Sequence, residues 1–183
     1  MLQFQLLRQF PKLEHSIATR HNEREQSYDV VAEQVHGNRF AWVDGPRLQP
    51  VPRVDALLTD TPGIRLRIGT SDCVPIILYD PSTQRGGVIH AGVKGTTQDI
   101  LLNVLAEFNP KKVYLGIGPA IGPECYDGID IQQENILQAF SAGVPRSHIE
   151  VMRLCTKCHT DTFFSYRAGD NVNFGSYFAL AKE

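Results

Sequence analysis

With 183 residues and 42% hydrophobic content, the chain can fill one core of ordinary size and is too short to argue for two, so a single domain over 1–183 is expected. Its 18 Lys and Arg against 20 Asp and Glu leave a formal charge of −2. No basic stripe or polybasic run stands out, which argues against nucleic acid and membrane surfaces as partners and for a small molecule.

The opening residues 1–10 lack the charged, apolar and small-residue parts of a signal peptide, and no later apolar run approaches membrane length. The expected location is the cytoplasm. In a reducing compartment Cys73, Cys125, Cys155 and Cys158 read as metal-binding, catalytic or buried residues, none of them bridged.

In chain order, Leu2, Phe4 and Leu6 alternate as in a half-buried strand, and so do Ile64, Leu66 and Ile68. Segments 74–79, 87–90 and 113–117 are short continuous apolar runs bordered by Gly or Pro and read as central strands. A helix over 97–108 places Ile100, Leu101, Val104, Leu105 and Phe108 on one face, and a second over 131–142 does the same with Ile131, Ile136, Leu137 and Phe140. Capping pairs, Thr96 with Asp99 and Asp130 with Gln133, mark their starts. Later strands fit 149–154, 163–166 and 174–180. The expected architecture is a single α+β domain around a large, partly antiparallel mixed sheet.

Three residues at polar edges of strand-like runs carry the chemistry. Cys73 stands in Thr-Ser-Asp-Cys-Val-Pro (70–75), His90 in Ile-His-Ala-Gly-Val-Lys-Gly (89–95), and His36 in Val-His-Gly-Asn (35–38). One thiolate and two imidazoles suit a zinc ion whose fourth tetrahedral position stays open to water or substrate. Asp72 beside Cys73 is a candidate acid/base or orienting group. The turn 91–95 joins the strand of His90 to the following helix. Its Gly92 and Gly95 would allow close backbone approach to an anion, and Lys94 adds a positive charge. The Gly- and Pro-rich loop 116–126 reads as a pocket wall or a structural loop. Cys155-Thr-Lys-Cys-His159 has the spacing of a haem attachment site, half a zinc ribbon or a redox pair. A ribbon needs a second cysteine pair that the sequence does not offer nearby, and the expectation is a strand end with incidental spacing.

With these segments in view the chain resembles the YfiH family, also called laccase-domain or polyphenol oxidase proteins, which includes bacterial purine nucleoside phosphorylases and a mammalian homologue. The resemblance rests on Thr19-Arg20, Gln34-Val-His-Gly37, Asp55-Ala-Leu-Leu-Thr59, Ser71 to Asp80, His90-Ala-Gly92 with Gly95, Gly116 to Gly122 with Cys125-Tyr126, Ala142-Gly-Val144, Cys155-Thr156 and Phe163 to Arg167. It implies an α-β-β-α sandwich and a His36–Cys73–His90 metal site holding zinc, with copper as the alternative occupant. It also implies phosphorolysis of adenosine, inosine, guanosine and 5′-methylthioadenosine, with deamination of adenosine at the same site. Arg20 and Arg167 are placed near the substrate, and the protein is expected as a monomer or homodimer.

This sequence has Val93 and Lys94 where the family usually has Trp and Arg, which removes an aromatic wall and exchanges a planar anion donor for a point charge. Three other readings compete. One is amide hydrolysis with Cys73 as nucleophile, as in relatives linked to peptidoglycan precursors; another is copper-dependent phenol oxidation; the third is an inactive, metal-stabilised binding module.

Overall fold

The continuous apolar runs are buried on both faces, because they form the centre of one sheet that packs on a second sheet on one side and on helices on the other. The computed structural model describes residues 1–182. A one-turn helix α1 (Gln5–Arg8) precedes β1 (Leu13–Ile17), β2 (Val30–Val31), β3 (Phe40–Trp42), β4 (Ala56–Thr59), β5 (Leu66–Thr70), β6 (Val74–Asp80) and β7 (Arg85–Ala91). Helices α2 (Val93–Thr97) and α3 (Ile100–Leu105) lead to β8 (Tyr114–Ile117), α4 (Ile131–Ser141), β9 (Ile149–Val151) and β10 (Phe174–Leu180). One mixed sheet runs β3-β4-β7-β6-β8-β9, and the other runs β1-β10-β5-β2.

Strand β6 shows why its sequence has no polar alternation. Ile77 and Tyr79 enter the core between the sheets, where they meet Leu57, Val88, Leu66, Ile68, Phe174 and Phe178. Val74, Ile76 and Leu78 enter a second core, formed with Ile100, Leu101, Val104 and Leu105 of α3 and Ile136 and Ala139 of α4. A residue such as Ile77 is fully buried, and its truncation to Ala should cost about 2–5 kcal/mol. The helices therefore cover the larger sheet. On the smaller sheet the helical cover is a 3-10 turn, Glu23–Glu25, whose Glu23 pairs with Arg67 at 2.7 Å. No helix among the described residues is long and apolar enough to cross a membrane.

Several local expectations are corrected. Leu2 forms an isolated bridge with Ile17 and the chain then turns into α1, so 2–6 is not a strand. Phe4, just before α1, and Leu7 within it are buried. The true first strand is β1, held by antiparallel pairing with β10 from Leu13↔Leu180 to Ile17↔Ser176. The helix expected over 97–108 begins at Val93 and breaks at Asp99, which adopts φ +64 between α2 and α3. Aspartate tolerates this left-handed conformation better than most residues. Thr96 consequently caps nothing; buried inside α2, its hydroxyl accepts from Asn135 and its carbonyl from Gln138, which fastens α2 to α4. The Asp130 cap is present, accepting from the Gln133 N–H at 2.8 Å. Segment 163–166 is not a strand but leads into the 3-10 turn Tyr166–Ala168, and the strand expected over 149–154 ends at Val151.

Candidate metal centre

Antiparallel pairing of β6 with β7 sets Val74 opposite Ala91 and Pro75 opposite His90. Cys73, just before β6, and His90, near the end of β7, therefore meet at the same end of the larger sheet. His36 arrives from the loop after β2 in a left-handed conformation, φ +57. Ligand atoms of His36, Cys73 and His90 all lie within 4.8 Å of one another. The two imidazoles meet edge to face, ring centroids 4.8 Å apart. A thiolate and two imidazoles make a donor set that suits zinc and leaves one tetrahedral position open.

The alignment is enforced by a residue that the sequence reading assigned no role. Asp55, fully buried immediately before β4, accepts from His90 Nδ1 at 2.8 Å and from the His36 N–H at 2.9 Å with Oδ1, and from the Gly37 N–H at 2.8 Å with Oδ2. Holding Nδ1 turns His90 Nε2 towards the common point, and holding the 36–37 backbone fixes where His36 enters. The available signal was a carboxylate directly ahead of an apolar strand.

These contacts decide the charges. Burial pushes the Cys73 thiol up, but hydrogen bonds with His36 and His90 outweigh it and bring the pKa down to about 6. Burial pushes His90 down, yet Asp55 and Cys73 raise it to about 9. Burial also works against ionised Asp55, and the His90 and backbone donors hold it below its ordinary value. Without a cation the trio is thus a thiolate beside an imidazolium near neutral pH.

A cavity of about 680 Å³ opens on His36 and Cys73. Its wall includes Asp72, Val93, Lys94, Tyr126, Tyr166 and Arg167. A smaller cavity of about 320 Å³ reaches the trio from the side of Gln34 and Arg67. Tyr126 and Tyr166 give the larger cavity aromatic surface despite Val93, and the Arg167 guanidinium stacks 4.2 Å from the Tyr126 ring centroid.

The remaining expected site residues divide. Within segment 91–95, Ala91 ends β7, Gly92 is the junction and α2 begins at Val93, and Lys94 is exposed to the cavity. Gly92 packs against the trio, where a Cβ would stand 3.0 Å from Cys73 Sγ and 3.3 Å from His36 Cδ2. Gly95 serves packing: a Cβ there would come 2.6 Å from the Gly37 carbonyl oxygen, and the residue does not line the cavity. Asp72, at φ +87, accepts from Thr156 Oγ1 at 2.7 Å and the Arg167 N–H at 2.8 Å, so both carboxylate oxygens fasten the 156–167 segment beside Cys73. Arg20 lies outside the cavity wall; its guanidinium pairs with Asp170 at 2.6 Å and donates to the Phe163 carbonyl. All four cysteines are free.

Among solved structures, the fold is similar to YlmD from Geobacillus stearothermophilus, with a TM-score of 0.86 and 26% identity over 94% of this chain and 93% of that one. A hypothetical protein YfiH from Bacillus licheniformis gives a TM-score of 0.78 and 28% identity over 88% and 78%. In sequence, the chain is 35% identical to the purine nucleoside phosphorylase YlmD of Geobacillus stearothermophilus over 75% of its own length and 66% of that protein's. It is likewise 35% identical to a purine nucleoside phosphorylase of Bacteroides thetaiotaomicron over 62% and 55%. The chain thus spans less than two thirds of these curated relatives. The family model described as multi-copper polyphenol oxidoreductase laccase matches residues 14–128 and 127–182, and the chain belongs to that family.

Proposed function

We propose that the chain acts as a purine nucleoside phosphorylase, with zinc held by His36, Cys73 and His90 and substrate bound in the adjoining cavity. The observation that carries this reading is the joining of an Asp55-aligned His–Cys–His set to a cavity of about 680 Å³ with aromatic and cationic walls. That volume lies within the range of small-molecule sites, about 300–1,000 Å³. The names of the relatives support the reaction class.

In this reading the purine lies against Tyr126 and Tyr166, while Lys94 and Arg167 draw phosphate to the ribose. A phosphate oxygen forms the new bond to C1′ as the glycosidic bond breaks, and the base departs with the bonding electrons and takes up a proton. When bound, the cation supplies Lewis-acid polarisation of a substrate oxygen and acidifies water. Asp55 keeps His90 aligned throughout, and Asp72 holds the segment carrying Arg167 against the cavity. Adenosine, inosine, guanosine and 5′-methylthioadenosine are the proposed substrates, and deamination of adenosine is the proposed side activity.

A panel of these nucleosides with phosphate tests the proposal: free base should appear from each, and inosine from adenosine alone. A protein that releases no base from any of them has another function. Amide hydrolysis is the second reading, favoured by a Cys73 thiol lowered to about 6 beside a histidine. A covalent acyl adduct on Cys73 in metal-free protein that still turns over amides would select it. Phenol oxidation by a copper array finds less support, because among the described residues only His36 and His90 of the six histidines join a ligand cluster.

A further inference from the structure

We propose a second cation site, structural and occupied by zinc, formed by Glu124, Cys125, Cys155 and Cys158. One ligand atom from each lies within 4.8 Å of all the others. Cys125 Sγ and Cys158 Sγ are 3.5 Å apart, and Cys158 Sγ is 3.7 Å from Glu124 Oε1. With zinc–sulfur bonds of about 2.3 Å, tetrahedral geometry separates neighbouring sulfurs by roughly 3.8 Å, close to that spacing. The sulfurs are also far beyond the roughly 2.05 Å of a disulfide.

The half-ribbon spacing at 155–158 is therefore not incidental. Its missing half is the adjacent pair Glu124-Cys125, brought from the Gly- and Pro-rich loop instead of a second spaced cysteine pair. Backbone features on both sides serve the arrangement. Ala120 bridges Cys155 in parallel, and Pro123 opens the 3-10 turn Pro123–Cys125 that presents Glu124 and Cys125. The Gly122 N–H donates to Cys155 Sγ at 3.2 Å, as a backbone amide supports a thiolate ligand. A Cβ at 122 would lie 2.3 Å from Glu124 Oε1, so a side chain there would push the Glu124 carboxylate out of its place beside the cysteines.

Burial as a small apolar residue does not account for the group, because Cys158 and Glu124 are exposed. Three thiolates select a soft cation over magnesium or calcium, and four protein ligands close the coordination sphere, which marks a structural zinc. Its place gives it a task. The loop 116–126 carries Ile121 and Tyr126 to the cavity beside the first centre, and the segment after Cys158 carries Tyr166 and Arg167. One cation joining the two loops would fix the wall of that cavity, whatever reaction the cavity performs.

Zinc content of the 183-residue chain tests the site. The wild type should hold two equivalents, Cys73→Ser one, the Cys155→Ser/Cys158→Ser double variant one, and all three substitutions together none. Cobalt loaded into Cys73→Ser should give a thiolate-to-cobalt charge-transfer band with the intensity of three thiolates, a readout that survives any folding failure of the double variant. A single equivalent in the wild type that Cys73→Ser removes entirely would overturn the proposal. So would a Cys125–Cys158 disulfide in protein purified without oxidant.

Discussion

Asp55 Oδ1 stands 2.8 Å from His90 Nδ1 and, through the same oxygen, 2.9 Å from the His36 N–H. One buried carboxylate thus orients His90 on β7 and positions the loop that carries His36. Asp55→Asn keeps the size but puts an amide NH₂ where an acceptor is needed, against donors on both sides. Zinc affinity of the first centre should fall about 10- to 100-fold, the usual effect of losing such an orienting partner. Competition with a chromophoric chelator measures it. Unchanged affinity would mean that the 36–37 loop and β7 hold their places without Asp55.

Zinc binding at this centre should release protons in a pattern set by Cys73 and His90. Between pH of about 6 and 9 the Cys73 thiol is already ionised while His90 carries a proton that Nε2 must lose to bind metal. About one proton should therefore leave per zinc, and affinity should rise about tenfold per pH unit over that window. Below about 6 the thiol is protonated as well and the slope should steepen; above about 9 it should flatten. Calorimetry in buffers of different ionisation enthalpy, on the Cys155→Ser/Cys158→Ser variant so that one site reports, counts the protons. A pH-independent affinity across 6–9 contradicts the thiolate–imidazolium description.

Lys94→Ala should raise the KM for phosphate roughly tenfold while leaving nucleoside affinity nearly unchanged. The residue is exposed at the cavity rim, so the effect belongs at the low end for a charge-assisted hydrogen bond, about 1.5–3 kcal/mol. Deamination uses no phosphate and should be spared, which shifts the products of adenosine from adenine towards inosine. Steady-state kinetics at several phosphate concentrations gives the split. Equal loss of both activities would show that Lys94 supports the site generally.

His15 predicts an acid sensitivity remote from the metal. It is buried, its Nε2 accepts from the Phe4 N–H at 3.0 Å, and burial lowers its pKa to about 4. Above pH of about 6.5 it is neutral both folded and unfolded, so its contribution is complete. As pH falls towards 4 the unfolded chain takes up the proton first, and stability should decline by up to about 3 kcal/mol. Below 4 no further loss comes from this group. His15→Gln should flatten the stability profile between pH 6.5 and 4 in urea titrations; an unchanged slope would assign the acid sensitivity to other groups.

What the sequence disclosed depended on where the information lay. Strands β6 and β7 were legible because both faces of each are buried, which leaves unbroken apolar runs, and Cys73 and His90 stand out at the ends of those runs. Strand β1 was not: Glu14, His15 and Ser16 interrupt the pattern, and the segment is a strand because β10 pairs with it. The break at Asp99 lies beside tertiary contacts of Thr96 with Asn135 and Gln138, which no helical period encodes. Asp55 and the Glu124-Cys125 half of the second cluster were hidden for the same reason. Their partners lie 35 and 33 residues away and meet only in the folded chain.

The most direct measurement loads the protein with zinc, supplies adenosine with and without phosphate, and separates the products. Adenine and ribose 1-phosphate should form in equal amounts only when phosphate is present, and Cys73→Ser should lose that reaction while remaining folded. Free ribose in place of ribose 1-phosphate, base release that ignores phosphate, or undiminished turnover by Cys73→Ser would contradict a phosphorolytic centre at His36, Cys73 and His90.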